Sequence, residues 1–196
     1  MARPALHQPA AIIDATFRLA SRGLDAVTIA AVARQSGAPS GSIYHRFGSR
    51  DGLLAAAWLE ATHSFQEGFV RALREETAIP GLAAARHTTG WARRAPHPAR
   101  ALVLHGAQDF GATRWPDGAR ERARDLAREL EDGLAEFSHR RFGDSGGELR
   151  RRVTFALLDL PLAAVRRYLA AGIAPPEEVD GYLHDTLAAL LGGDRN

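Results

Sequence analysis

The residues best suited to chemistry lie between Val27 and Leu54, in VTIAAVARQSGAPSGSIYHRFGSRDGLL. Ser40, Gly41, Ser42, Tyr44, His45 and Arg46 form the outer face of a short segment, and Ile43 and Phe47, at i and i+4, anchor it from beneath. Small and hydrogen-bonding groups on a helix this short suit contact with base edges and phosphates in a major groove about 12 Å wide. That chemistry is recognition and not bond cleavage. The chain has no cysteine, no HExxH, no GxSxG and no Gly-rich phosphate loop, so the expectation is a protein that is not an enzyme and needs no cofactor or metal.

A second group of candidates interrupts the apolar faces further along: Trp91, His105, Asp109, Phe110, Trp115, Phe155 and Asp159. Mostly apolar walls with a few polar groups are what small-ligand sites look like, and plain core packing is the other reading for the aromatics. Asp159 sits in TFALLDLPLAAV beside Pro161, where a carboxylate needs a partner and a proline frees a carbonyl. These residues place an expected cavity between the Pro161 helix and the 80–115 segment. His105 and Asp109 share a helix face if that helix continues, a spacing able to hold a metal, but no third ligand is near in sequence.

The elements that must position these groups are helical. Apolar residues recur every three or four positions and strand signals are nearly absent. About nine helices are expected, at about 9–22, 29–36, 40–47, 50–76, 81–95, 97–110, 117–141, 147–171 and 177–192, with glycines and prolines between them. Thr28 is an N-cap candidate, Gly37 suits a left-handed turn, and Pro161 should kink the eighth helix. The run GARERARDLARELED alternates in sign at helical spacing and reads as a solvated, salt-bridged face. Leu157, Val165, Tyr168 and Leu169 form one stripe on the last two helices, and Val179, Leu183, Leu187, Leu190 and Leu191 the other. Such stripes either meet a second copy in a four-helix bundle or fill the protomer's own core.

All 25 basic residues are arginine, as a GC-rich genome would favour. Residues 1–50 carry six arginines against Asp14 and Asp25, a net of +4, whereas residues 51–196 carry −2. A basic head on a slightly acidic body is the asymmetry expected when only the head meets a polyanion. Met1–Ala10 lacks an apolar signal core, and no run approaches the ~18 apolar residues of a membrane span. A soluble cytoplasmic protein is expected, with no membrane partner.

The order of residues in the head resembles the signature of the tetracycline-repressor (TetR) family of bacterial transcriptional regulators over about residues 9–58. Thr28, Val32-Ala33, Gly37, Gly41, Ile43-Tyr44, Phe47, Arg50 and Leu53 stand in register with it. The resemblance implies an all-α chain: a three-helix helix-turn-helix head (1–48) on a long stem helix, then an effector-binding and dimerising body (49–196). It implies that Thr28 touches a phosphate, that Ser40, Gly41 and Ser42 face base edges, and that Tyr44, His45 and Arg50 hold phosphates. It also favours the dimer reading of the C-terminal stripes. The implied partners are a palindromic or near-palindromic duplex operator, a second copy, and a small-molecule effector of unknown identity that releases a repressor. The alternative is an adaptor or nucleoid-type DNA-binding protein with the same head and no effector. Two departures stand out: Pro39 occupies the usual capping position of the recognition helix, which would shift the cap to Ser40, and Ala30 replaces a longer base-reading side chain in some members.

Overall fold

The computed structural model describes residues 9–143 and 146–192, so the reading of Met1–Gln8 lies outside the described residues. The described chain is helical, with no strand. The head holds α1 (Pro9–Ala20), a 3-10 turn (Leu24–Ala26), α2 (Ile29–Ser36) and α3 (Ser40–Phe47). The stem is α4 (Arg50–Leu73). The body follows as α5 (Leu82–Arg94), α6 (Pro96–Leu104), a 3-10 turn (Ala112–Arg114), α7 (Asp117–Phe142), α8 (Gly147–Thr154), a π turn (Phe155–Asp159), α9 (Leu160–Ala171) and α10 (Glu178–Leu191). No described helix is long and apolar enough to cross a membrane.

The apolar residues gather in two clusters that meet along α4. Ile12, Phe17, Val27, Val32, Ile43 and Leu53 fill the first, joined by Phe110 and Trp115 from the body. Phe65, Phe69, Trp91, Leu134, Leu157 and Leu187 belong to the second. One helix therefore supplies side chains to both, and the head is not packed as an independent unit. Further ties cross the same boundary. Asp51 pairs with Arg114 at 3.0 Å, and the Ser21 hydroxyl shares a hydrogen bond with His97 Nδ1 at 3.1 Å. Arg100 of α6 donates to Ser21 O, just past α1, and to Leu169 O near the end of α9.

Three expectations change on the way from sequence to structure. The sixth helix stops at Leu104 and not near 110, because Asp109 Oδ2 accepts from the Gly106 N–H at 2.8 Å and closes a turn there. His105 and Asp109 therefore do not share a helix face, and no three-residue group able to hold a metal occurs among the described residues. Pro161 is answered by a widened turn: the Leu160 N–H reaches back five residues to Phe155 O, so the helix accommodates a residue that cannot donate and whose ring crowds the preceding turn. Finally, the C-terminal stripes are core. Leu157, Val165, Leu169, Leu183 and Leu187 are at most 2% exposed within one chain, and Tyr168 and Leu190 pack half-buried against the same cluster. The five buried side chains face α5, α6 and each other's helices within the protomer and are not available as a surface for a second copy, whereas Tyr168 and Leu190 keep part of their surface open.

Candidate functional site

The head is built by short-range rules. Thr28 caps α2 in an extended conformation, its hydroxyl accepting from the Ala31 N–H at 3.1 Å. Gly37 ends α2 at φ 72°, left-handed backbone that favours glycine, and turns the chain into α3. Pro39 occupies the N-cap of α3, and neither it nor Ser40 supplies a side-chain cap. Ser40 is the first helical residue, so the expected shift of the cap to Ser40 does not occur. The Pro39 carbonyl accepts from Ser42 and Ile43 instead, and the N–H groups of the first turn keep no side-chain acceptor.

Ile43 is fully buried under α3, and Phe47 packs half-buried beside it. This orientation turns Ser40, Gly41, Tyr44 and His45 outward, with Ser42 half-buried between them. Tyr44 is 54% exposed, unusual for a large ring with nothing to cover it. Gly41 is equally telling. A Cβ built there meets nothing within 4 Å, so packing inside the chain does not require glycine at that position. Thr28 is exposed as well, at the start of α2.

Arg50 behaves differently from the expectation that it reaches a phosphate. Its Nε donates to Val27 O at 2.6 Å and its Nη2 to Leu24 O at 2.8 Å. Those two carbonyls belong to the tight turn before α2, so the guanidinium fastens that turn to the start of the stem. Gly52 completes the joint, and sequence reasoning missed it. A Cβ at Gly52 would lie 2.1 Å from Phe47 O; only glycine lets α4 begin so close to the end of α3. Ser49 caps α4 by accepting from that same Gly52 N–H at 3.0 Å. The recognition face is thus rigidly tied to α4.

The body holds a cavity of about 700 Å³ between α4, α7 and α8, a size that suits a small ligand. Asp159 lines it, but the other nominated residues do not. Trp91 and Trp115 are buried in the two cores, their indole N–H groups donating to Ser64 Oγ and Phe110 O. Phe110 is fully buried with His105 edge-on to it, Asp109 closes its turn, and Phe155 faces solvent at 51% exposure. The cavity therefore lies on the α7 side of the stem, not against the 80–115 segment. Its walls come from small residues, Ala123 and Ala127, with Leu130 and Leu134. Trp58, Thr62 and Gln66 line the α4 side at i, i+4, i+8 spacing, and sequence reasoning nominated none of them for a site.

Residues 12–57 match the family of bacterial regulatory proteins, tetR family. No curated protein matches the chain. Among solved structures, the TetR family transcriptional regulator PfmR from Thermus thermophilus aligns with a TM-score of 0.67 at 13% identity, over 94% of this chain and 99% of that one. The transcriptional regulator FadR from Bacillus subtilis, solved in complex with stearoyl-CoA, aligns at 0.66 and 13% identity, over 96% and 100%. A TetR-family transcriptional regulator from Streptomyces coelicolor is 21% identical, with a TM-score of 0.59 over 94% and 97%. These likenesses extend the family's fold through the body, beyond the matched head. Residues 12–57 thus form a domain like that of the tetR family of bacterial regulatory proteins, and the described chain shares the fold of these solved regulators.

Proposed function

We propose that the protein is a dimeric, sequence-specific repressor that a small molecule occupying the α4–α7–α8 cavity releases from its operator. Residues 1–48 act as the DNA-reading part and 49–196 as the sensing and dimerising part. The observation that carries this reading is the double duty of α4. Its first turn is locked to the recognition face through Arg50 and Gly52, and its middle turns wall the cavity. A ligand there bears on the helix that sets the angle of the head. Its effect is a shift between two populations, limited by its difference in affinity for them. The cavity disfavours the adaptor alternative, which would have no use for one.

On DNA, Ser40, Gly41 and Ser42 face base edges while Thr28, Tyr44 and His45 hold phosphates, aided by the uncapped first turn of α3. The likeness to the Bacillus subtilis FadR solved with stearoyl-CoA supports a ligand site in the body. Dimerisation uses the outer faces of the last helices. Phe155 and Tyr182, 51% and 66% exposed, are the large rings left uncovered there, and a second copy related by a two-fold axis would cover them.

Selection from a random duplex pool by the purified protein is expected to return a near-palindrome of two half-sites. Ser42→Ala should change the preferred base at one position per half-site. Recovery of duplexes without a shared sequence, or a monomer at micromolar concentration in solution, would refute the reading.

A further inference from the structure

Two polar atoms on residues that line the cavity have no partner in the chain. Trp58 Nε1 and Gln66 Oε1 are both buried and make no hydrogen bond, and both residues line the cavity from α4. Gln66 as a whole is 9% exposed. Native interiors leave few such groups, so each asks what completes it. Eight residues of helix separate the two, about 12 Å along the α4 axis. They therefore mark two levels of one elongated space. The demand at Trp58 is unambiguous, because an indole N–H can only donate. An occupant must bring an acceptor there. The Gln66 amide can offer either of its ends, so it tolerates more than one chemistry.

The charges on the lining add direction. Trp115, which leads into α7, packs on Trp58 with ring centres 5.3 Å apart, and Gly133 of α7 sits against Val70. The α4 and α7 helices therefore run the same way, and Trp58 marks the end of the cavity near the head. The α7–α8 hairpin then turns back, which puts Arg150 and Arg151 at the opposite end and Asp159 nearer Trp58. Arg150 ends the first turn of α8 and Arg151 opens its last, and neither forms an ion pair with a described residue. The N-terminal end of a helix adds to their attraction for an anion. Glu131 and Asp159 also line the cavity; Glu131, two residues before Gly133, lies toward the arginine end, where the two arginines outnumber it. With Asp159 toward the Trp58 end, an anion is disfavoured there and an uncharged oxygen is the acceptor that fits. Between the two ends the walls are alanine and leucine.

We propose that the cavity takes an elongated, mostly apolar acid, its anionic group at Arg150 and Arg151 and an uncharged oxygen accepting from Trp58 Nε1. The class is that of oxygenated carboxylic acids with a hydrocarbon or aromatic middle. This inference rests on the reading that the cavity holds the effector, and its test separates the two.

Calorimetric titration of the full-length protein, stripped of carried-over lipid, with 12-hydroxydodecanoate, dodecanoate and dodecylamine provides the test. The hydroxy acid is expected to bind about tenfold tighter than dodecanoate, as a site built to pair a substrate oxygen discriminates against its absence. Dodecylamine is expected to bind at least tenfold more weakly than either acid. Trp58→Phe keeps a ring and removes the donor, so it should erase the preference for the hydroxyl and leave dodecanoate affinity unchanged. The pair Arg150→Gln/Arg151→Gln should weaken both acids about tenfold or more, and carries the test if Trp58→Phe does not fold. Tighter binding of the amine, a hydroxyl preference that survives Trp58→Phe, or no binding of either acid overturns the proposal. DNA affinity is scored separately. Acids that bind with the expected variant pattern but leave the operator complex unchanged would sink the effector reading and support the site. A different molecule, found in the cavity by native mass spectrometry and able to release DNA, would sink the ligand class alone.

Discussion

Gly41 and Arg50 show how a single residue's surroundings decide its role. Glycine in a helix lowers stability by about 0.5–1 kcal/mol relative to alanine, and nothing inside the chain crowds a Cβ at Gly41. Gly41→Ala is therefore expected to raise the melting temperature by a degree or more while weakening operator binding, because the added methyl meets the DNA and not the protein. A variant with higher stability and full affinity would show that the backbone at Gly41 does not approach DNA closely. Arg50 predicts the opposite pattern. Its removal leaves the Val27 carbonyl without its donor and takes one of two from the Leu24 carbonyl, which keeps the Val27 N–H, at a cost of about 1–3 kcal/mol. Arg50→Ala should lower stability by that amount in denaturant titration, yet leave the salt dependence of DNA binding unchanged. A slope flatter by ~1 would mean that a phosphate contact had been lost after all.

At the scale of elements, the crossing of α4 and α5 makes the body sensitive to acid. A Cβ at Gly68 would meet the His87 ring at 2.2 Å, so the two helices approach closely at this pair. His87 Nε2 donates to Phe65 O at 3.0 Å. Burial pushes the His87 imidazole below its ordinary value of 6.5, and Arg94 and Arg71 act in the same direction; the Phe65 hydrogen bond and Glu75 oppose them without reversing the shift. A histidine with a depressed folded value takes up its proton more readily when unfolded. Stability should thus be level above pH 6.5 and fall as the pH drops below it, through the interval down to the folded value. Denaturant midpoints measured from pH 8 to pH 5 check this, and His87→Gln should flatten the decline. A His87→Gln profile identical to wild type would place the acid sensitivity elsewhere.

Across the whole molecule, α6 is the piece that touches head, stem and body. Arg100 fastens the carbonyl of Ser21, beyond α1, and that of Leu169, near the end of α9, through one guanidinium. Its Nε is buried without a partner of its own. A shift of α9 caused by a ligand would be carried to the head through this bridge as well as along α4. Arg100→Ala is expected to fold, to melt a few degrees lower, and to keep operator affinity without ligand. Its ligand-driven release should be blunted severalfold in an anisotropy titration. Release equal to wild type would leave α4 as the sole route.

The sequence alone determined what depends on near neighbours. The limits of α2 and α3, the Thr28 cap, the left-handed turn at Gly37 and the anchoring of α3 by Ile43 follow from groups within about four residues of each other, and all are present as read. So was the family signature, which is an order of residues along one short stretch. Tertiary structure decided whatever depended on a distant partner. An apolar stripe states that a face is buried but not against what; here α5 and α6 cover the faces of α9 and α10, and Leu187 is core and not interface. Arg50 could reach out or back, and two carbonyls more than twenty residues away drew it back. The cavity lies between α4, α7 and α8, with Leu158 and Asp159 of the π turn in its wall, and periodicity along one helix does not record where neighbouring helices diverge. Trp58 and Gln66 stand eight residues apart on one helix, and only the packed body left a polar atom of each buried without a partner.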